Sequence, residues 1–263
     1  MTKKRPRVGF HDFLNSKPLL HPFRHGLLET PFELVIDTPS NLATRFASGD
    51  LDMALIPSIE YGRNKDAVII PSACIASIGR VETVLLFSEL AIEDIESVCV
   101  DLKSRTSVAM LEILLKEKYG KTPTMTPCED DPATMLRSAD AGLLIGDAAY
   151  NLDRSDYVVH DLGDLWYQHS GTPFVHAVLC AKKGERWDTA ISAIEEAKKL
   201  GKEHRALIAK QETANHDEAE RLLDYLTKRI YYDLGDDEKE GLARFLRSAK
   251  EMKISERDNL EFY

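Results

Sequence analysis

Short apolar runs alternate with amphipathic segments as far as Arg186, after which the pattern becomes charged and helical. "RVGF", "FELVIDT", "LDMALIP", "AVIIPSACIAS", "VETVLLFS", "SVCVDL", "AGLLIG" and "PFVHAVLCAKK" have the length and β-branched character of buried strands. Between them, "KPLLHPFRHGL" predicts a short helix broken around Pro22. "PSNLATRFASGD" predicts a helix with Ser40 as N-cap, an apolar stripe through Leu42, Ala43 and Phe46, and Gly49 as its stop. "SRTSVAMLEILLKEKYG" predicts a long amphipathic helix, and "DDPATMLRSAD" another with Pro132 in its first turn. "SIEYGRN" starts a turn or helix at Ser58, "AIEDIES" reads as a helical turn, and "TPTMTPC" as extended chain.

Strands that feed helices define an α/β protein. "PSNLATRFASGDLDMALIPS" and "DPATMLRSADAGLLIGDAA" share one plan of capped helix, break, apolar strand and small polar residues. Two lobes of similar construction are therefore expected: residues 1–87 with 175–263 in one, 88–174 in the other. "TVLLFS" and "FVHAVLCA" are the expected crossings, with a cleft between the lobes, a favoured place for small-molecule sites.

Composition narrows the function. The 263 residues carry a net charge of −10, which argues against a broad nucleic-acid surface. An anion site must then be made locally, from helix N-termini and a few cations. Cys74, Cys99, Cys128 and Cys180 form no CxxC pair. The first, second and fourth read as small core residues, Cys128 as a loop residue, and a reduced cytoplasmic setting is expected. "MTKKRPRVGF" has no apolar h-region, so no secretory signal is expected, and no apolar stretch reaches the ~18 residues of a membrane span. The eight histidines show no metal spacing beyond the pair His21 and His25. GxSxG, P-loop and GxGxxG motifs are absent, so nucleophile-elbow and nucleotide enzymes lose support.

The sharpest local signal is "DLKSRTSVAML". Ser104, Arg105, Thr106 and Ser107 stand between a strand and a helix, where unpaired N–H groups and the helix dipole favour an anion. Arg105 can fork a carboxylate or brace the loop from behind, and Ser104 can instead serve as an ordinary cap. "LIPSIEYG" and "LIGDAAY" are matching strand ends, where ligands of α/β sheets collect. They place Ser58, Glu60, Gly146 and Asp147, the carboxylates doubling as helix caps.

"FLNSKPL", "LIPSIEY", "ETVLLFS", "SRTSVAMLEILL", "LIGDAA" and "YLTKRIYYDLGDDEKEGLARFL", in that order, resemble the chorismate dehydratase family from Val8 to about Lys253. His176, in "PFVHAVL", departs from the apolar or aromatic residue expected there. The resemblance implies a type II periplasmic-binding-protein-like fold with two lobes, a central cleft and C-terminal helices. It implies a hydro-lyase that opens the futalosine route to menaquinone, converting chorismate to 3-[(1-carboxyvinyl)oxy]benzoate and water. It implies neither metal nor organic cofactor, while the charge and the lack of a long apolar stretch argue against nucleic-acid and membrane partners. Carried over by position, Asn15 acts on the leaving hydroxyl or developing enolate. Ser16, Thr83, Ser104, Arg105, Thr106 and Ser107 bind substrate, with Ser58, Gly146 and Asp147 as further candidates. No residue stands out as the general base, although Glu60 and Asp147 are candidates; the substrate's enolpyruvyl carboxylate is the alternative. A solute-binding protein of the same fold and 1,4-dihydroxy-6-naphthoate synthase are the rival readings. Oligomeric state is not encoded in any of these patterns.

Overall fold

The computed structural model describes residues 5–101, 104–129 and 131–263. In chain order it contains β1 (Arg7–Phe10), α1 (Lys17–Arg24), β2 (Glu33–Ile36), α2 (Pro39–Ser48), β3 (Met53–Pro57), α3 (Ser58–Arg63), β4 (Ala67–Ser77) and β5 (Val84–Ser88). There follow β6 (Ser97–Asp101), α4 (Thr106–Tyr119), β7 (Thr124–Cys128), α5 (Pro132–Ser138), β8 (Ala141–Ile145), α6 (Gly146–Tyr150), β9 (Val158–Asp161), α7 (Leu162–Ser170) and β10 (Phe174–Lys182). The chain closes with α8 (Asp188–Glu203), α9 (Arg205–Glu212), α10 (His216–Asp224) and α11 (Asp236–Glu251).

Two mixed sheets result, in the orders β2-β1-β3-β10-β4 and β7-β6-β8-β5-β9. In the first, β1 runs parallel to β2 and β3, while β10 lies antiparallel between β3 and β4. In the second, β6 is parallel to β7 and β8, and β5 is antiparallel to β8 and β9. Each sheet and its helices make one lobe, the α/β plan expected from the sequence. The first crossing comes earlier than residue 87, because all of β5 is taken up by β8 and β9. It falls between the end of β4 at Ser77 and the start of β5 at Val84, and the return falls just before β10. "TVLLFS" therefore belongs to the second lobe and "FVHAVLCA" to the first.

The outgoing crossing is held by one carboxylate. Asp161, at the end of β9, accepts from the backbone N–H of Val81 (3.0 Å), Glu82 (2.7 Å) and Asp164 (3.2 Å), so it pins the crossing and caps α7 together. Burial pushes its carboxyl up, and these three N–H bonds oppose the shift. Glu82 has φ +69°, a conformation non-glycine residues seldom adopt, and Arg229 reaches its carboxylate at 3.2 Å from the C-terminal helices.

Local corrections follow from backbone geometry. α1 runs through Pro22 to Arg24. Thr38 caps α2 by accepting from Asn41 N–H, and Pro39 takes the first helical position, so Ser40 lies inside the helix. α1 packs on α8, where Gly201 leaves no room for a Cβ against the Pro18 carbonyl. The tail returns to the edge of β4: Ile69 donates to Glu261 O at 2.8 Å and Tyr263 donates to Ile69 O at 2.9 Å. Tyr61 fastens it, donating to Asn259 O and accepting from Glu261 N–H. This covers an edge that would otherwise offer unpaired backbone.

The cysteines differ from expectation. Cys74 and Cys180 are free and buried, but Cys99 and Cys128 are joined by a disulfide between β6 and β7. Parallel pairing of these strands brings their Cα atoms to 5.6 Å, a proximity that a spacing of 29 residues does not reveal. A thiol titration of denatured, unreduced protein is expected to find two reactive thiols, rising to four after reduction. Four thiols before reduction would show the pair to be open in the purified protein.

Candidate functional site

The carboxyl ends of β1, β3 and β8 and the start of α4 face the gap between the lobes. His11, Phe13, Asn15, Pro39, Pro57, Ile75, Thr83, Val84, residues 104–107, Ile145, Gly146, His176 and Ala177 line a cleft that is partly open to solvent. Its mixed apolar and polar lining suits a small organic ligand.

On the first lobe, a 3-10 turn at Leu14–Ser16 places Asn15 in the cleft, and its amide oxygen is buried without a hydrogen-bond partner. Ser16 beside it is fully buried and does not line the cleft. Its hydroxyl donates to the carbonyls of His11 and Phe13, so it shapes the turn that presents Asn15. Lys17 is bound between Asp12 (3.1 Å) and Glu212 (3.0 Å). Ser58 is buried at the start of α3, outside the lining, with its hydroxyl unpartnered.

On the second lobe, α4 begins with no side chain capping it. Its first-turn N–H groups therefore lack the side-chain acceptor that most helices supply. Ser104, Thr106 and Ser107 surround that start, and Ser104 Oγ has no partner. Thr106 Oγ1 accepts from Ile59 N–H of the other lobe at 3.2 Å. Arg105 lines the cleft but is already engaged: Nη1 donates to Glu60 Oε2 and Nη2 to Thr44 Oγ1, each at 3.0 Å. Glu60 holds Arg63 with its other oxygen at 2.8 Å. The guanidinium therefore braces the loop against the first lobe, and it shares the Glu60 carboxylate with Arg63.

Between the lobes, Thr83 is buried in the lining and shares a hydrogen bond of 3.1 Å with Tyr225 OH, whose hydroxyl is itself pushed well up by burial. Gly146 N–H donates to Thr83 O at 2.8 Å. Gly146 has φ +60°, and a Cβ there would stand 3.2 Å from the Phe13 ring. Asp147 lies behind the lining and accepts from Leu14 N–H at 3.1 Å, a further bond between lobes. Burial raises its carboxyl, while the Leu14 bond and Lys17 pull the other way.

The structure thus brings Asn15, Thr83, Ser104, Arg105, Thr106, Ser107 and Gly146 to one cleft; Ser16 and Asp147 lie outside it as supports, and Ser58 lies outside it with no bond to the site. Sequence reasoning passed over His11 in the lining, although a polar residue directly after a buried strand was a usable signal. His176 was noticed only as a departure. Its Nε2 lies 2.9 Å from Ser77 Oγ, and burial lowers the ring to about 3, while burial lowers His11 to about 4. Among the described residues no group of three or more His, Cys, Asp or Glu is placed to hold a metal, and no helix is long and apolar enough to cross a membrane.

Two α/β lobes, paired crossings and a cleft at the strand ends define the periplasmic-binding-protein class of fold. Solved structures agree: protein AF1704 from Archaeoglobus fulgidus superposes with a TM-score of 0.75 at 15% identity, covering 97% of this chain and 100% of that one. The periplasmic aliphatic sulphonate binding protein SsuA from Escherichia coli gives 0.63 at 17% identity, covering 98% of this chain and 90% of its own. Within that class the chain belongs to the menaquinone biosynthesis family, whose model matches residues 6–251. A chorismate dehydratase from Thermus thermophilus is 29% identical over 261 residues, spanning 92% of this chain and 94% of that protein.

Replacing Gly146 with alanine forces a side chain into the left-handed region and against Phe13. We expect a loss of about 1–2 kcal/mol in urea unfolding, where a change within a few tenths would show that the α6 start adapts.

Proposed function

We propose that the protein is a chorismate dehydratase, eliminating water from chorismate to give 3-[(1-carboxyvinyl)oxy]benzoate for menaquinone synthesis by the futalosine route, in the cytoplasm. The observation that carries this reading is the pairing, across one cleft, of Asn15, whose amide oxygen is unpartnered, with the uncapped start of α4. The likeness to the Thermus thermophilus enzyme over nearly the whole of both chains supports it.

The reaction removes the proton from substrate C3 and the hydroxyl from C4, and the ring becomes aromatic. Much of the driving force therefore resides in the substrate, and the protein's part is to orient, exclude water and steady developing charge. The N–H groups and hydroxyls at the start of α4 receive one carboxylate. Asn15, from the other lobe, donates its amide N–H to the departing hydroxyl or the enolate, and Thr83 adds a hydroxyl beside it.

The base is not an obvious side chain. Both oxygens of Glu60 are committed to arginines, and Asp147 lies outside the lining. The enolpyruvyl carboxylate, attached at C3, is near the proton by its covalent structure and accepts it. The C3–H pair enters the ring, the C4–O bond breaks, and the hydroxide leaves as water with that proton.

Incubation of the pure protein with chorismate, followed by chromatography and mass, is expected to show loss of water to the aromatic ether. Intact chorismate with measurable binding would instead favour a solute-binding protein. Asn15→Ala is expected to lower kcat by roughly a hundredfold or more; unchanged turnover would remove Asn15 from the mechanism. Glu60→Gln and Asp147→Asn are expected to retain measurable turnover. Its abolition in either, with fold and binding intact, would identify a side-chain base.

A further inference from the structure

The cleft has a charge deficit for the ligand proposed above. Arg105 is the one Lys or Arg in its lining among the described residues, and it is paired with Glu60. The carboxylate closest to that guanidinium, Glu60, is itself shared with Arg63. Lys17 is shared by Asp12 and Glu212. Two guanidiniums on one carboxylate leave a single positive charge beside the cleft, one short of what a substrate with two carboxylates carries.

The lining does contain two imidazoles. His176 is bonded to Ser77, whereas His11 is 3% exposed and its Nδ1 has no hydrogen-bond partner. His11 stands directly after β1, four residues ahead of Asn15, with its ring 5.2 Å from that of Phe13. An unpartnered buried ring nitrogen is costly unless a ligand completes it. We propose, resting on the dicarboxylate substrate assigned above, that His11 is a substrate-binding residue that takes up a proton as the dianion enters, supplying the second positive charge that the Arg105 cluster lacks.

The chemistry balances as a simple protonation: one proton from solvent joins the neutral imidazole, and the imidazolium then lies against a carboxylate. Free, His11 is held neutral by burial, down to about 4, with Asp12 the charged neighbour opposing that shift. Arg105 at the start of α4 and His176 on β10 share the cleft lining with it, and the Asp147 carboxylate reaches Leu14, three residues along. An anion in contact strengthens proton binding by roughly ten- to a thousandfold, which returns the imidazole to the range around pH 6. Because the complex holds the proton more tightly than the free protein, affinity rises as pH falls and levels off only below the free value of about 4.

The product dianion, 3-[(1-carboxyvinyl)oxy]benzoate, is the probe, since it does not react further. Calorimetric titration near pH 6 in MES and in Bis-Tris, whose ionisation enthalpies differ, reads proton uptake from the difference in binding heat. The expected result is uptake of roughly half a proton in the wild type, lost in His11→Asn and retained in Asp147→Asn and His176→Gln. Binding without uptake, or uptake lost in Asp147→Asn or His176→Gln but kept in His11→Asn, overturns the inference and leaves the dehydratase reading standing. Failure of the product to bind overturns both. Should His11→Asn not fold, the wild-type histidine Cε1–H resonances decide: one that is flat above about pH 5 in the free protein must titrate when product is saturating, and its failure to do so overturns the inference.

Discussion

Three backbone N–H groups converge on the carboxylate of Asp161, and the geometry of the cleft hangs from that point. The chain must leave one sheet and enter the other within a few residues, in a conformation that includes a positive φ at Glu82. Such a turn persists only when its surroundings over-determine it. Asp161 fixes it from the second lobe and Arg229 from the C-terminal helices. Thr83 comes next in the chain, and its carbonyl then meets Gly146 N–H. The cleft's floor is therefore a consequence of how the crossing is tied, with Tyr225 securing the Thr83 hydroxyl from below.

The cleft walls divide the chemical labour by lobe. The second lobe offers a helix start without a cap, and the first offers an amide on a tight turn. Ser16 and Asp147, both of them candidates for direct contact, act one layer further out. Ser16 spends its hydroxyl on the turn that exposes its neighbour, and Asp147 links that turn to the opposite lobe. Polarity at a strand end thus serves presentation as often as contact.

The two-lobe plan was legible because strands and capped helices alternate so regularly, and because apolar strands such as "LDMALIP" have one place to go. The helix start at Ser104–Ser107 was legible for the same reason: a run of hydroxyls exceeds what a cap requires. What the sequence hid were facts of juxtaposition. Nothing local tells that Glu60 will reach Arg105, that Cys99 will face Cys128, or that all of "VLLFS" belongs beyond the crossing. The helix cap moved from Ser40 to Thr38 because proline fixes its own φ and so claims the first helical position. His11 was overlooked because a single polar residue after a strand reads as the end of burial, whereas here it remains buried in the cleft lining.

The place of β10 in the first sheet has a consequence for how the molecule is assembled. This strand, which lies between β3 and β4, is encoded after the whole second lobe. During synthesis β3 and β4 emerge early but cannot pair with each other in the native order, while the strands of the second sheet follow one another without interruption from Val84 to Asp161. The second lobe can close as soon as it leaves the ribosome, and the first waits with its central gap open until the return strand arrives. The lobe that begins the chain is then the last to be completed.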